Sequence, residues 1–331
     1  MAEQAYSHIA ILGAGAWGTA LAAVAARAGR RVTLWGRDGA LLVDVTAGEN
    51  PRHLPGIELP EDISVTTALP VAAGGEIIVL AVPAQETRAL LAKLTPLLPA
   101  GVPLVICAKG IEQGTGKLMP EIVAQAAPAN PVAILSGPSF AREVASGLPT
   151  AITIAGPGEI AERLQATLST PSFRPYVSDD VVGVALGGAA KNVYAIACGV
   201  VEGMGLGENA RAALLARSFA ELARLGETLG ARRETLMGLS GLGDLVLTAT
   251  SNSSRNFAAG VELGRGKSAA SLAAPGHALA EGLATAPALA ARAKSAGVEL
   301  PIAEAMADLV AGTLPLADAM ARLMNRKLTA E

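Results

Sequence analysis

The chain has 331 residues, with 26 basic against 29 acidic side chains and a net charge of −3. A balance this even supplies no basic field for nonspecific nucleic-acid binding, and no long run of like charge reads as an interaction tail. The length suits two domains, and with 51% hydrophobic but only 3% aromatic residues the core must be built mainly from Ala, Leu and Val.

Residues 8–12 form a short apolar run, followed by the loop Gly13-Ala14-Gly15-Ala16-Trp17-Gly18, a helical stretch to residue 28, and a second apolar run over 31–35. This is the strand, tight turn, helix, strand order of a mononucleotide-binding unit. The opening residues lack a basic start and a small-residue cleavage site, so no secretory signal is expected. Residues 50–60, NPRHLPGIELP, hold three prolines and are expected to form a loop.

Further strands are expected at 64–67, 76–82, 103–108, 132–136, 150–155 and 173–177. Several are continuous Val/Ile/Leu runs, as parallel strands covered on both faces require. Helical stretches such as 85–94 and 117–126 alternate with them, which describes an open, doubly wound sheet. After residue 178 the strands stop. Ser178, Asp179 and Asp180 look like a helix start, with a hydroxyl cap and acids against the helix dipole. Helices are expected at 181–201, 208–229, 255–264, 280–296 and 301–311. The fold class is therefore α/β: a Rossmann-type domain over 1–180 and an all-helical domain over 181–331.

The 181–201 stretch is long enough to span a bilayer. However, Lys191 at its centre costs roughly 3 kcal/mol on insertion scales, so a buried core helix is expected and no stable membrane insertion. Cys107 and Cys198 lie in apolar runs and read as buried, inert thiols, consistent with a reducing cytoplasm.

The glycine loop fits G-x-G-x-x-G in its proper context. Gly13 permits the tight turn, Gly15 lets backbone approach a pyrophosphate, Gly18 packs helix on strand, and the helix start offers N–H groups to phosphate. About 20 residues further on, where cofactor preference is read, stand Gly36-Arg37-Asp38. Asp38 can accept from ribose hydroxyls and Arg37 can hold a 2′-phosphate. Arg37 directly follows the strand, which leans toward NADP being accepted. A solvated Arg–Asp turn is the alternative.

Lys109 follows the 103–107 strand at the end where ligands collect, and is placed to meet substrate or cofactor phosphate; a surface lysine is the bland reading. In Ser136-Gly137-Pro138-Ser139-Phe140, Gly137 allows close backbone approach and Ser139 can cap a helix or donate to a ligand.

Lys191 is the sharpest candidate, because an ammonium among apolar neighbours is costly unless its proton or charge is used. Oxidising a secondary alcohol needs a base for the hydroxyl proton. A free lysine, at about 10.4, cannot serve near neutral pH. Lowering it to about 7–8 takes about 4 kcal/mol, within reach of burial and a nearby cation. The alternative is a lysine paired with a buried carboxylate.

Asp244 sits among glycines and reads equally as a helix cap or as a carboxylate orienting the lysine or a substrate hydroxyl. Ser253-Ser254-Arg255-Asn256 can form an oxyanion or phosphate site at a helix start, or a solvated cap. His8, His53 and His277 make no His–Asp dyad of the kind 2-hydroxy-acid dehydrogenases use. No Cys or His spacing suggests zinc or another metal, and no G-x-S-x-G suggests a hydrolase.

Together GAGAWGTALA, LWGRD, NPRHLPGIELP, AKGIE, SGPSFAREV, LGGAAKNVYAIA, GLGDLVLT and SRN, in this order, resemble the bacterial NAD(P)-dependent glycerol-3-phosphate dehydrogenases over nearly the whole length. The resemblance implies a 6-phosphogluconate-dehydrogenase-like architecture and an NAD(P)H cofactor. It further implies reduction of dihydroxyacetone phosphate to sn-glycerol 3-phosphate for glycerophospholipid synthesis in the cytoplasm. It assigns cofactor contacts to Ala16, Trp17, Arg37, Lys109, Ala141, Arg255, Leu279 and Glu281. Substrate contacts fall on Lys109, Gly137, Ser139, Lys191, Asp244, Ser254, Arg255 and Asn256, with Lys191 as proton donor and acceptor. The stretch Ala278-Leu279-Ala280-Glu281-Gly282 departs from the family's commoner Val-Val-Glu-Gly. A β-hydroxyacid dehydrogenase or ketopantoate-type reductase shares the two-domain plan and is the enzymatic alternative. A nicotinamide-sensing protein without turnover is the non-enzymatic one. The alanine-rich helices suit either a homodimer interface or a core.

Overall fold

The computed structural model describes residues 5–274 and 279–324. The chain divides into two compact units, Met1–Ala108 with Met119–Ala185, and Lys109–Leu118 with Leu186–Glu331. The second unit takes in 109–118, a segment that sequence order alone assigns to the first.

In the first unit β1 (His8–Leu12) leads through the glycine loop into α1 (Ala16–Arg27), and β2 (Arg31–Trp35) into α2 (Gly39–Thr46). There follow β3 (Glu49–Asn50), β4 (Leu54–Glu58), β5 (Ile63–Thr66), β6 (Ile77–Leu80), β7 (Leu104–Ile106), β8 (Val132–Ser136), β9 (Thr150–Ala155) and β10 (Phe173–Ser178). Eight of these form one sheet in the order β10-β9-β8-β7-β6-β1-β2-β5. The chain leaves β1 to one side for β2 and later returns to its other side as β6, so β1 marks the point where strand order reverses. Ligands of open α/β sheets bind at the carboxyl ends of strands at such a point.

Two expectations need correction. The sheet is not parallel throughout: β8 and β9 pair antiparallel, so β9 and β10 run against the other six strands. Residues 50–60 are not only loop, because β3 and β4 pair into a small antiparallel sheet. Asn50 is the reason that piece is ordered. Its buried Nδ2 donates to the Ala14 carbonyl at 3.2 Å and to Thr19 Oγ1 at 2.9 Å, bracing the glycine loop from behind.

The first unit's core is aliphatic, with Ile9, Ile11, Leu21, Leu34, Ile77 and Leu135 fully enclosed. Trp17, Ala16 and Ala141 pack on its rim. The helix α3 (Val181–Gly203), which belongs to the second unit from Leu186 onward, is mostly apolar and buried from 183 to 201. Such a helix must be surrounded. It is long and apolar enough to cross a membrane, yet 89% of its most apolar window is buried inside the protein. Its cap is Asp180, whose carboxylate accepts from the Gly183 N–H at 2.7 Å; Ser178, expected as the cap, instead ends β10 and accepts from the Asp180 N–H.

Around α3 stand α4 (Gly207–Thr228), α5 (Asp244–Thr250), α6 (Arg255–Gly264), α7 (Glu281–Ser295) and α8 (Pro301–Ala311). Cys107 and Cys198 are buried and not joined in a disulfide, and burial pushes the Cys198 thiol up to about 12.

Candidate active site

In the sheet-bearing unit, Gly13 has φ +124°, a conformation side chains rarely adopt, and its N–H donates to the Trp35 carbonyl at 2.9 Å. A Cβ at Gly18 would run into the Gly13 carbonyl oxygen, whereas one at Gly15 would meet nothing within 4 Å. The backbone is therefore closed on its inner side and open at Gly15. Gly15 is also the N-cap of α1 and provides no side-chain oxygen, so the first-turn N–H groups remain for an incoming anion. This cradle fits a dinucleotide pyrophosphate.

Beyond β2, Asp38 has both oxygens committed. Oδ1 accepts from the Ala40 and Leu41 N–H groups at 3.0 and 3.3 Å, capping α2, while Oδ2 pairs with Arg52. The Arg52 guanidinium, and after it the Leu41 N–H, hold the carboxyl below its usual range. Arg37 is 80% exposed, with Glu86 at 3.8 Å. The acid that would receive a ribose diol thus already has three partners, and two guanidiniums stand at this strand end.

Gly137 and Ser139 close the end of β8, with the Ser139 hydroxyl donating to the Gly137 carbonyl at 3.0 Å. Ser139 does not cap the following short helix Ala141–Ala145, whose N-cap is Phe140. That helix is fixed to α1 by Arg27, which donates to the Ala145 carbonyl at 2.6 Å.

In the helical unit Lys191, Lys109 and Asp244 meet. Lys191 Nζ donates to Asp244 Oδ1 at 2.7 Å and to Thr248 Oγ1 at 2.8 Å, and Lys109 Nζ donates to Asp244 Oδ2 at 2.6 Å. Asp244 is 1% exposed and Lys191 is 7% exposed. Asp244 does not cap its helix. A π-helical turn, Leu239–Gly243, precedes it, and that widened turn projects the carboxylate toward the two amines.

Lys191 is paired with a buried carboxylate, and its proton is nonetheless held less tightly than that of a free lysine. Burial lowers it to about 8; the Lys109 ammonium adds to that, and Asp244 only partly offsets the two. Burial pushes Asp244 upward, but the Lys109 and Lys191 ammoniums together outweigh it and hold the carboxyl below its ordinary value.

Thr248 and Asn192 are functional candidates that sequence reasoning missed. Thr248 lies four residues after Asp244 on one helix face, a spacing that could have signalled it. Asn192 Nδ2 donates to the Lys109 carbonyl at 2.9 Å, and its Oδ1 accepts from Asn256 Nδ2 at 2.8 Å. Asn256 Oδ1 in turn accepts from the Gly282 N–H at 2.9 Å, beside Glu281 at the start of α7. This amide chain ties the 109–118 segment, α3, α6 and α7 together. Ser254 is buried and caps α6, accepting from the Phe257 N–H at 3.2 Å, and Arg255 is exposed at the same helix start. A cleft of about 220 Å³ opens along Ser253, Ser254, Arg255 and Ala258.

Glu281 lies close enough to raise Lys191 slightly, while Leu279 is 49% exposed. His8 is buried in β1 against Thr33, His53 follows Asn50 in the turn between β3 and β4, and His277 lies outside the described residues. Among the described residues no group of three or more His, Cys, Asp or Glu side chains could hold a metal ion.

Residues 8–161 match the family described as NAD-dependent glycerol-3-phosphate dehydrogenase N-terminus, and residues 180–321 match its C-terminus. A Bradyrhizobium sp. (strain ORS 278) protein named glycerol-3-phosphate dehydrogenase (NAD(P)+) is 56% identical over 328 residues, covering 98% of each chain. The chain belongs to the NAD-dependent glycerol-3-phosphate dehydrogenase family. Another relative of that name, from Parvibaculum lavamentivorans, is 51% identical over 329 residues and 99% of each chain. The fold of the family is equally plain in the solved glycerol-3-phosphate dehydrogenase of Coxiella burnetii, with TM-score 0.92 and 38% identity over 97% of this chain and 99% of that one. A ketopantoate reductase of Ralstonia eutropha matches at TM-score 0.62 and 15% identity over 96% of this chain and 99% of that one, a likeness of fold alone.

Proposed function

We propose that this chain reduces dihydroxyacetone phosphate to sn-glycerol 3-phosphate with NAD(P)H, in the cytoplasm, supplying glycerophospholipid synthesis. Membership of the family supports the substrate class. The observation that carries the chemistry is the buried Lys191, hydrogen-bonded to Asp244 and Thr248 and lowered to about 8.

The glycine loop, with Ala16, Trp17 and Arg37, would hold the dinucleotide in the sheet-bearing domain, with Ala141 of the neighbouring helix as a further contact. When bound, NAD(P)H supplies the hydride that converts the carbonyl to an alcohol. In the helical domain the start of α6 holds the substrate phosphate, through the Ser254 hydroxyl, the Arg255 guanidinium, the Asn256 amide and the free N–H groups of the first turn. That anchorage assists by orientation rather than by bond-making. Lys109 adds to the polar lining of the helical domain, Gly137 and Ser139 are assigned to the substrate, and Glu281 and Leu279 are assigned to the cofactor.

Lys191 donates a proton from its ammonium to the carbonyl oxygen as the carbon gains the hydride, and takes the proton back in the oxidising direction. Asp244 keeps the amine aimed and Lys109 keeps it acidic. Loss of reduced-nicotinamide absorbance when purified protein meets dihydroxyacetone phosphate is the expected result. Turnover of a keto acid at comparable efficiency would instead favour the ketopantoate-type reading. The oligomeric state is part of the proposal as a homodimer, which sedimentation of the purified protein tests.

A further inference from the structure

Lys191 lies on α3, whereas Ser254, Arg255 and Asn256 open α6. The distance from the amine to the anion-holding helix start therefore depends on how closely these two helices approach. Ordinary side chains keep helix axes 8–10 Å apart. Here the approach is closer, because Gly199 and Gly203 of α3 face Gly260 and Gly264 of α6, each pair four residues apart on one helix face.

A Cβ at Gly199 would run into the Phe257 carbonyl oxygen and stand 2.9 Å from the Gly260 Cα. One at Gly260 would run into the Ile196 carbonyl oxygen and stand 2.9 Å from the Gly199 Cα. One turn on, a Cβ at Gly264 would meet the Val200 carbonyl and stand 3.0 Å from the Gly203 Cα. The clash is reciprocal and involves backbone on both sides, so no rotamer change relieves it. Glycine in a helix interior is destabilising relative to alanine, so Gly199 and Gly260, inside their helices, carry a cost that close approach must justify. A second, independent contact fixes the other end of the crossing. Asn192, next to Lys191, accepts from Asn256 at 2.8 Å. Gly260 lies four residues, or about 6 Å, further along α6.

We infer that the α3–α6 crossing is a spacer that sets the position of the substrate's phosphate relative to the Lys191 amine, with Gly199 and Gly260 as positioning residues. The inference rests on the dehydrogenase reading above. A methyl group at Gly260 pushes α6 outward and displaces Ser254 and Arg255 relative to Lys191, which stays with Asp244 on α3 and α5.

The test uses the full-length protein. In Gly260→Ala, kcat for dihydroxyacetone phosphate falls by about 10²-fold for a displacement near 1 Å, while the calorimetric Kd for sn-glycerol 3-phosphate changes little, because the phosphate-holding groups move together with α6. A circular-dichroism spectrum and a thermal transition like those of the wild type serve as the folding control. Should that variant not fold, Gly264→Ala, one turn farther from the anion site, carries the same test with a fall in kcat of about tenfold. A folded variant with unchanged kcat, or one whose whole loss lies in KM and Kd, overturns the inference. A wild-type protein that does not turn over dihydroxyacetone phosphate overturns the dehydrogenase reading instead.

Discussion

Lys191 and Lys109 donate to opposite oxygens of a single carboxylate, that of Asp244, at 2.7 and 2.6 Å. Two ammoniums on one buried acid leave a net positive charge. The second amine therefore lowers the first, and the shared carboxylate offsets that only in part. The cluster keeps a lysine buried, aimed and easily deprotonated at once, which neither an isolated lysine nor a simple ion pair achieves.

Removing the amine tests its role in chemistry separately from its role in the fold. In Lys191→Ala, Asp244 retains Lys109 as its partner, so the carboxylate is not left as an unpaired buried charge. The expected outcome is a fall of about 10²–10⁴-fold in kcat, the usual worth of a positioned proton donor, with NADPH affinity retained. Turnover near that of the wild type would remove Lys191 from the mechanism.

The pH profiles should follow from a lysine at about 8. Reduction needs the ammonium, so its rate should fall as pH rises through about 8; oxidation needs the free amine and should rise across the same interval. Asp244→Asn removes the group that raises Lys191, and both profiles should move to lower pH. Breaking the buried pair also costs about 3–5 kcal/mol of stability. Rate profiles of the two proteins in both directions provide the check, and a variant profile displaced to higher pH contradicts the assignment.

Cofactor preference is expected to lie with Arg37. Because Asp38 caps its helix and pairs with Arg52, a ribose diol must compete with those partners for its carboxylate. Arg37→Ala should weaken NADPH binding by about tenfold or more, the worth of a charge-assisted hydrogen bond, and leave NADH nearly unchanged. Trp17 and Trp35 lie beside the glycine loop and its neighbouring strand, so quenching of their fluorescence on titration reads both affinities. Equal losses for the two cofactors would show that Arg37 does not meet the 2′-phosphate.

A second buried acid controls stability rather than turnover. Glu221 on α4 accepts from the Ile302 and Ala303 N–H groups at 2.8 and 3.3 Å, and its Oε2 lies 3.4 Å from the Tyr194 hydroxyl. Burial pushes it up to about 7, against 4.5 when free, although the two N–H donors and Arg224 oppose the rise. The folded protein therefore holds this proton more tightly than the unfolded chain. The resulting stabilisation, about 3 kcal/mol, is fully present below about pH 4.5 and is lost as pH rises through about 7. Thermal midpoints across that interval should fall less steeply in Glu221→Gln than in the wild type. Parallel curves would place the pH dependence elsewhere.

Much of the fold was legible because its signals are local. The glycine loop, the apolar strand runs and the change to helix near residue 180 follow from backbone freedom and side-chain periodicity. The antiparallel pairing of β8 with β9 carries no such signal, since a continuous apolar run reads the same in either direction. The small sheet formed by β3 and β4 was hidden for a related reason: three prolines argue against a helix but do not forbid a short edge pair, and Asn50, which braces the glycine loop, is an ordinary residue until its partners are known.

The candidate site divides in the same way. By itself the sequence determined that a dinucleotide loop is present and that an expensive lysine sits in an apolar helix, because both are statements about single segments. It also carried the family likeness. Only the tertiary structure decided that Asp244 serves two lysines rather than a helix cap, that Asp38 already has partners, and that Thr248 and Asn192 join the cluster. A hydrogen bond between residues 53 or more positions apart, such as Lys191 with Asp244, is set by the packing of whole helices, and no local pattern along the chain encodes it.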